Sequence, residues 1–175
     1  MRIDAGLDTG DILLQAEEPI RPEDTASTLA PRLAQTGAEL MITTLAGLKN
    51  GIITPQPQDN SQASLAPILK REDGLIDFER TASDVWNRLR GFQPWPGAYT
   101  TFRGKGLQLN AAVPAAETNI VPPGHFLVEG GRLLLGFAHG TALDVHELRP
   151  EGKRRMSARD FINGYRPRPE EPLGA

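Results

Sequence analysis

The apolar positions of the N-terminal third follow two patterns in succession. Residues 12–20 begin with the apolar run Ile12-Leu13-Leu14 and end before Arg21-Pro22, which predicts a strand. From Leu29 to Leu48 apolar residues recur at intervals of three and four, which predicts an amphipathic helix. We expect this helix to bury one apolar stripe.

Polar and special residues mark the ends of this helix. Asp24 or Thr25 can cap its start, although Pro31 favours a start later than Thr25 because proline is tolerated best in the first turn. Asn50-Gly51 suits the left-handed position that ends a helix. One strand and one helix cannot enclose a core, so we expect residues 1–52 to be part of a larger α/β domain.

The amino-acid composition changes after residue 52. Residues 53–77 are polar and contain several prolines, which predicts a linker. A second helix is predicted to begin at Thr81 or Ser83 and to end at Gly91-Phe92, with Trp86 on its buried face.

Beyond Pro94 the chain consists of short apolar runs separated by glycine-containing turns. The predicted strands are 99–102, 107–113, 125–128, 132–137 and 142–148. They favour a small antiparallel barrel or sandwich within residues 78–166, closed by a last helix from Ser157. A Pro/Glu-rich tail, 167–175, is expected to be disordered. The expected fold class is therefore an α/β fragment followed by a β-rich barrel with flanking helices.

Composition limits the kinds of protein this can be. The 175 residues include no cysteine, which excludes disulfides, thiolate metal sites and a cysteine nucleophile. No apolar run approaches the roughly 20 residues of a membrane span, and the N-terminus lacks the pattern of a signal peptide, so a soluble cytoplasmic protein is expected. The net charge of −3 divides into −5 for residues 1–67 and +2 for residues 68–175. Two explanations fit this uneven charge distribution. One is an acidic small-molecule site joined to an anion-binding module, and the other is ordinary solvated faces.

The opening segment contains the candidate chemistry. Three acids, Asp4, Asp8 and Asp11, surround Gly6 and Gly10. Glycines let a backbone turn and approach a ligand closely, and a following strand fixes where the loop points. We expect the carboxylate of Asp8 to act in the reaction. The alternative, that these residues form an ordinary turn, stays open because Asp and Gly are the commonest turn residues.

Five segments together resemble, in the same order, those of the methionyl-tRNA formyltransferases. They are Gly6–Asp11, Leu45–Gly51, Lys70–Phe78, Arg90–Ala98 and Gly152–Phe161. The first and fourth also occur in other formyltransferases that use 10-formyltetrahydrofolate, whereas the last is the most specific to the tRNA enzymes. The resemblance covers nearly the whole chain.

This resemblance implies a Rossmann-like formyltransferase domain, a linker and a barrel of OB-like topology. Family members are expected to be monomers that move a formyl group from 10-formyltetrahydrofolate to the α-amino group of methionyl initiator tRNA, without a metal. Asp8 carries over as a catalytic residue, within a folate-binding loop formed by Gly6, Leu7, Asp8, Thr9 and Gly10. The family's catalytic Asn and His belong to a segment that this sequence does not contain. We therefore expect an N-terminally truncated chain that is inactive alone.

The resemblance also implies that basic residues of the linker and barrel bind the tRNA. The candidates are Lys70, Arg71, Arg88, Arg90, Lys153, Arg154 and Arg155. Such charge runs are equally often solvated faces, and both interpretations stay open. Trp95 could stack on a base, although packing is favoured. We expect His125, His139 and His146 to be surface or strand residues rather than catalysts.

Two other functions are compatible with parts of the sequence. Asp8-Thr9-Gly10 is the active-site triplet of aspartic proteases, but it lies almost at the N-terminus and lacks the usual preceding strand. The second alternative is a non-catalytic tRNA- or RNA-binding fragment made of linker and barrel. Formyltetrahydrofolate hydrolases and sugar-nucleotide formyltransferases share the opening loop but are disfavoured by Gly152–Phe161.

Overall fold

A computed structural model of the chain describes residues 1–116 and 121–174. The chain divides into two units, Met1–Ile68 and Leu69–Ala175. This division falls within the segment 53–77 for which the sequence predicts a linker.

The first unit is built around one long helix, α1 (Ala26–Lys49), and also contains the short 3-10 turn Asn60–Gln62. Thr25 and Thr28 form a capping box in which each side chain accepts a hydrogen bond from the other residue's backbone N–H. The capping box fixes the start of α1, and Pro31 lies inside the helix. Thr25, one of the two caps that the sequence predicts, is therefore the N-cap, and Pro31 does not delay the start of the helix.

Two other predictions for the first unit are wrong. Residues 12–20 form no strand; Ile12 makes a single antiparallel bridge to Gln56, because no longer strand among the described residues lies beside this segment. The apolar stripe of α1 is not buried either. Met41, Ile42 and Leu45 are each more than half exposed, since no other described residues cover that face.

The second unit contains one antiparallel sheet. Its strands are β1 (Ala98–Phe102), β2 (Lys105–Pro114), β3 (Phe126–Glu129), β4 (Arg132–Gly136), β5 (Ala142–Pro150) and β6 (Met156–Ser157). The strand order is β1-β2-β5-β4-β3, and β6 pairs with β5 beside this path. All pairs are antiparallel, so the sequence-based prediction of short antiparallel strands is confirmed.

Two helices pack on this sheet, α2 (Ala82–Gly91) and α3 (Ala158–Tyr165). Thr81 and Ser157 cap them by accepting hydrogen bonds from backbone N–H groups in the first turn. The rings of Phe102, Phe126 and Phe161 lie within 6.0 Å of one another and join α3 to the sheet. Short 3-10 turns at Arg71–Gly74 and Ala138–Gly140 complete the unit.

The C-terminal tail is ordered by contacts with both edges of the sheet. The Leu173 N–H donates to the Gly124 carbonyl (2.7 Å), and the Gly174 N–H donates to the Thr101 carbonyl (3.0 Å). The Leu173 side chain is 6% exposed. The expectation of a disordered tail is therefore wrong, because one apolar residue within a Pro/Glu-rich stretch finds a place in the core.

Candidate functional site

The opening segment of the first unit forms a loop closed by its own ends. The Arg2 N–H donates to the Asp11 carbonyl (2.9 Å), and the Arg2 guanidinium lies 3.6 Å from the Asp11 carboxylate. A Cβ added to Gly10 would overlap the Arg2 carbonyl oxygen. Only glycine lets the two ends of the loop approach this closely.

Gln58 holds the loop from outside. Its Nε2 donates to the carbonyl oxygens of Asp8 (2.8 Å) and Gly10 (2.7 Å). Two backbone hydrogen bonds between Ile12 and Gln56, 2.8 and 2.9 Å long, fix the segment that carries Gln58. The position of the Asp8 backbone therefore depends on a residue about 50 positions away. Sequence reasoning missed Gln58 because it lies in a polar stretch with the composition of a linker.

The acids of the loop have different surroundings. The Asp4 carboxylate accepts hydrogen bonds from the Gly6 N–H (3.1 Å) and the Thr9 hydroxyl (2.7 Å), so it stabilises the turn. Asp8 is exposed, and among the described residues its carboxylate has no hydrogen-bond or ion-pair partner. Its φ of 54° places it in the left-handed region, which a non-glycine residue seldom adopts. This loop can present the Asp8 carboxylate to a ligand.

Leu7, which precedes Asp8 in the loop, has an apolar side chain that is 94% exposed. Thr9 is held by its hydroxyl bond to Asp4, and a Cβ on Gly6 would overlap the Thr9 side chain. The loop therefore offers one apolar and one carboxylate side chain next to each other, above a backbone whose glycines cannot be replaced without movement.

A second charged cluster in this unit serves the fold. Arg32 of α1 donates to Asp24 through Nη1 (2.6 Å) and Nη2 (2.8 Å), and to Glu18 through Nε (2.8 Å). Hydrogen bonds from Arg32, and from the Arg21 backbone N–H, hold the pKa of Asp24 well below its usual range. The same guanidinium lowers the pKa of Glu18. With their oxygens engaged in this way, these carboxylates anchor the segment before α1.

The predicted tRNA-binding residues near residue 70 surround the 3-10 turn Arg71–Gly74. Lys70 and Arg71 have exposed side chains. The Lys70 N–H donates to the Asp73 carboxylate (2.6 Å), and Arg88 Nη2 donates to the Asp73 carbonyl oxygen (2.7 Å). Asp73 therefore brings Lys70 and Arg88 together.

Arg88 and Arg90 on α2 are both packed on aromatic rings. Arg88 lies 4.7 Å from the centroid of the Phe92 ring, and Arg90 lies 4.0 Å from that of Trp86. Trp86 itself is partly buried against the core of the second unit. Trp95 is 55% exposed.

Lys153, Arg154 and Arg155 occupy the connection between β5 and β6. All three side chains are exposed, and no ion pair within the described part of the chain involves them. They present three adjacent positive charges to solvent, which can neutralise phosphates.

The histidines and acids of the described residues form no metal site. His125 Nδ1 lies 2.9 Å from the Pro123 carbonyl oxygen, and His146 Nε2 lies 3.7 Å from Asp144. Within residues 1–116 and 121–174, no group of three or more His, Asp or Glu side chains could hold a metal ion. No helix in that part of the chain combines the length and apolar character that a membrane crossing requires.

Comparison with known proteins identifies the family. The protein-family model described as "Formyl transferase, C-terminal domain" matches residues 68–166, and the family model described as "Formyl transferase" matches residues 1–45. This chain belongs to the formyl transferase family. The opening loop lies within the matched segment 1–45, so the aspartic protease alternative is wrong.

Two curated proteins similar to this formyl transferase chain carry the same name. The methionyl-tRNA formyltransferase of Koribacter versatilis is 59% identical over 174 residues, which are 99% of this chain and 55% of the relative. That of Acidobacterium capsulatum is 53% identical over 100% of this chain and 56% of its own length. The resemblance inferred from the motifs is confirmed. The chain spans about half the length of the curated relatives it matches.

Solved structures share the fold at lower identity. The N-formyltransferase of Helicobacter canadensis, solved with folinic acid and dTDP-3-aminofucose, is 20% identical with a TM-score of 0.63, over 82% of this chain and 52% of that one. HypX of Aquifex aeolicus, solved with tetrahydrofolic acid, is 19% identical with a TM-score of 0.59, over 93% and 29% of the two chains. These likenesses support the formyl transferase fold.

Proposed function

We propose that this chain takes part in transfer of a formyl group from 10-formyltetrahydrofolate to the α-amino group of methionyl initiator tRNA, in translation initiation. The observation that carries the proposal is 59% identity over 99% of the chain to a relative named methionyl-tRNA formyltransferase. We further propose a monomer that acts in the cytoplasm.

In this reaction the amine nitrogen bonds to the formyl carbon and the bond from that carbon to the folate N10 breaks. One proton leaves the amine and one reaches the departing nitrogen, through a tetrahedral intermediate with an oxyanion. Asp8 supplies a carboxylate that orients a catalytic histidine and stabilises its positive charge, as the third group of a triad does. Of the catalytic groups, we assign only this carboxylate to the residues of this chain.

The opening loop suits one edge of the folate donor. Leu7 offers apolar surface next to the unpaired Asp8 carboxylate, and Gly6 and Gly10 allow close approach of the backbone. We propose that Gly6–Gly10 line one edge of the folate site.

The second unit is the proposed tRNA-binding part. We interpret it as an OB-like barrel in which the tail, through Leu173 and Gly174, joins the two edges of the sheet. The exposed cations Lys70, Arg71 and Lys153–Arg155 are proposed to neutralise tRNA phosphates. Arg88 and Arg90 are proposed to support that surface.

A second candidate function is a non-catalytic tRNA-binding fragment. It is favoured by the exposed cations Lys70, Arg71 and Lys153–Arg155 of the second unit, which can bind phosphates without the folate donor. This alternative predicts salt-dependent tRNA binding by residues 1–175 without formyl transfer. Turnover by residues 1–175 alone would refute it.

A chimaera tests the catalytic proposal. Residues 1–175 replace the matching segment of the Koribacter versatilis relative, and formyl transfer to methionyl initiator tRNA is measured. We expect activity in the chimaera and, in its Asp8→Asn variant, a turnover lower by about 10²–10⁴-fold with unchanged tRNA affinity. Asp11→Asn is the matched control, because Asp11 lies in the same loop and pairs with Arg2. Near-normal turnover of Asp8→Asn would remove Asp8 from the mechanism.

A further inference from the structure

A cavity of about 220 Å³ lies between the β1–β2 turn, the connection after β5 and the end of α3. The apolar residues Phe102 and Leu107 and the aromatic residue Tyr165 line it. Arg103, Lys105 and Lys153 also line it. Its volume is below the roughly 300–1,000 Å³ of pockets for drug-sized ligands, so it suits one planar ring rather than a whole cofactor.

Arg103 is held in one orientation by the C-terminal segment. Its Nε and Nη2 donate to the two oxygens of Glu171 (2.9 and 2.8 Å), and its Nη1 donates to the Tyr165 carbonyl oxygen (3.0 Å). The guanidinium also lies 4.6 Å from the centroid of the Phe102 ring. Arg103 adopts a φ of 52°, which is uncommon for a residue other than glycine. A planar cation fixed in this way is a surface on which an unstacked base can lie.

Tyr165 provides a second ring at the same cavity. Its ring stacks on that of Phe161 at 4.6 Å with an interplanar angle of 16°, and Phe161 is completely buried. One face of the Tyr165 ring is therefore covered by Phe161, and the half-buried Tyr165 also lines the cavity. Aromatic stacking of this kind holds bases in single-stranded nucleic acids.

The charges of the cavity favour a phosphate beside the base. Glu171 pairs with Arg103, whereas Lys105 and Lys153 have no ion-pair partner among the described residues. The acidic residue that lines the cavity, Glu151, accepts a hydrogen bond from the Gly106 N–H (2.8 Å). Lysine is a flexible point charge suited to backbone phosphates.

We infer that this cavity takes one unpaired nucleotide of an RNA chain, with its base against Arg103 and Tyr165 and its phosphate at Lys105 and Lys153. The inference rests on the proposed function, since it names a subsite for the tRNA. It adds a base-stacking contact to the proposed tRNA-binding surface of the second unit, whose other proposed contacts are with phosphates.

The test uses residues 1–175 and a short single-stranded RNA that carries one 2-aminopurine, whose fluorescence falls when the base stacks. We expect quenching on binding by the unmodified chain. Arg103→Lys keeps the charge but removes the planar group, so we expect loss of quenching and an affinity lower by about 5-fold to about 150-fold. Arg132→Lys is the matched control, because Arg132 also pairs with a carboxylate, that of Asp144 at 2.8 Å, and does not line the cavity.

Lys105→Gln gives a second measurement that does not disturb the Glu171 contact. It should weaken binding and lower the slope of log affinity against log salt by about one. If initiator tRNA binds but no quenching occurs, or Arg103→Lys quenches like the unmodified chain, the cavity assignment is wrong and the tRNA function stands. If neither RNA binds, the cavity assignment and the proposed tRNA function both fail.

Discussion

Arg32 donates two hydrogen bonds to the Asp24 carboxylate, one from Nη1 (2.6 Å) and one from Nη2 (2.8 Å). Asp24 is only 4% exposed. A paired guanidinium and carboxylate form the strongest of the ordinary side-chain hydrogen bonds. Asp24 also accepts a hydrogen bond from the Arg21 N–H (2.7 Å), so the pair ties the chain before α1 to the helix itself.

This pair makes the stability of the first unit depend on pH. Because hydrogen bonds from Arg32 lower the pKa of Asp24 in the folded chain, its stabilisation is fully present above the ordinary value of 3.8. The stabilisation is lost as pH falls from there toward the folded-state pKa. Residues 1–68 contain no Phe, Trp or Tyr, so circular dichroism and hydrogen exchange of α1 peptides, rather than fluorescence, report on this unit.

We expect Asp24→Asn to lower the protection of α1 amides at pH 7 and to flatten the decline that occurs as pH falls below 3.8. Glu23→Gln, an exposed position in the same turn, is the control and should leave both unchanged. An Asp24→Asn profile that falls with pH as steeply as the unmodified one would show that another acid carries the effect.

Glycine at position 10 is required for closure of the opening loop. In Gly10→Ala the new methyl group meets the Arg2 carbonyl, so we expect the hydrogen bonds from Arg2 to Asp11 and from Gln58 to Gly10 to break. Amide exchange at Arg2 should rise to that of an open chain.

Gly37→Ala is the contrasting substitution, because nothing lies within 4 Å of a Cβ at that position inside α1. Alanine there should stabilise the helix by about 0.5–1 kcal/mol. Equal effects of the two substitutions on α1 and on the loop would contradict the geometry of the closed loop.

Leu173 makes the tail part of the second unit. We expect Leu173→Ala to lower the free energy of unfolding by about 2 kcal/mol, through lost burial and the cavity left behind. Urea unfolding followed by fluorescence of Trp86 and Trp95 reports on this unit. Leu65→Ala, at a position 94% exposed, is the control and should change stability by no more than about 0.5 kcal/mol. Identical midpoints for both variants would mean that the tail does not contribute to the core.

The second unit was easier to predict from sequence than the first. The hairpin of β3 and β4 is encoded locally, because Gly130-Gly131 forms the turn between two apolar runs. In this hairpin Phe126 pairs with Leu135, and Glu129 pairs with Arg132. The segment 12–20 has the composition of a strand, but a strand forms only where a neighbour supplies hydrogen bonds. The composition of the segment does not show whether such a neighbouring strand is present.

The residues of the candidate site also differ in how readily the sequence predicts them. Asp8 is predicted from the sequence because a motif of six consecutive residues contains it. Gln58 reaches that motif from 48 to 50 positions away, and Arg103 depends on Glu171, 68 positions later. A single polar side chain gives no periodic signal, so contacts of this length emerge only from the folded chain.

The exposed cations after β5 offer the clearest test of the tRNA surface. Lys153, Arg154 and Arg155 have no ion pair among the described residues, so each can release a counterion from a phosphate. Each phosphate contact adds about 0.7–0.9 to the slope of log affinity against log salt. We expect replacement of all three by alanine to lower that slope by about 2–3 for initiator tRNA, with weaker binding at low salt and little change in stability.

Arg88→Ala should behave differently, because Arg88 donates to the Asp73 carbonyl and covers the Phe92 ring. Its loss should lower the unfolding midpoint of the second unit while changing the salt slope by one unit at most. Filter binding or fluorescence anisotropy between 50 and 300 mM salt measures the slopes, and urea unfolding measures the midpoints. A triple variant with the unmodified slope would mean that these three cations face solvent when tRNA is bound, and would move the phosphate contacts to Lys70 and Arg71.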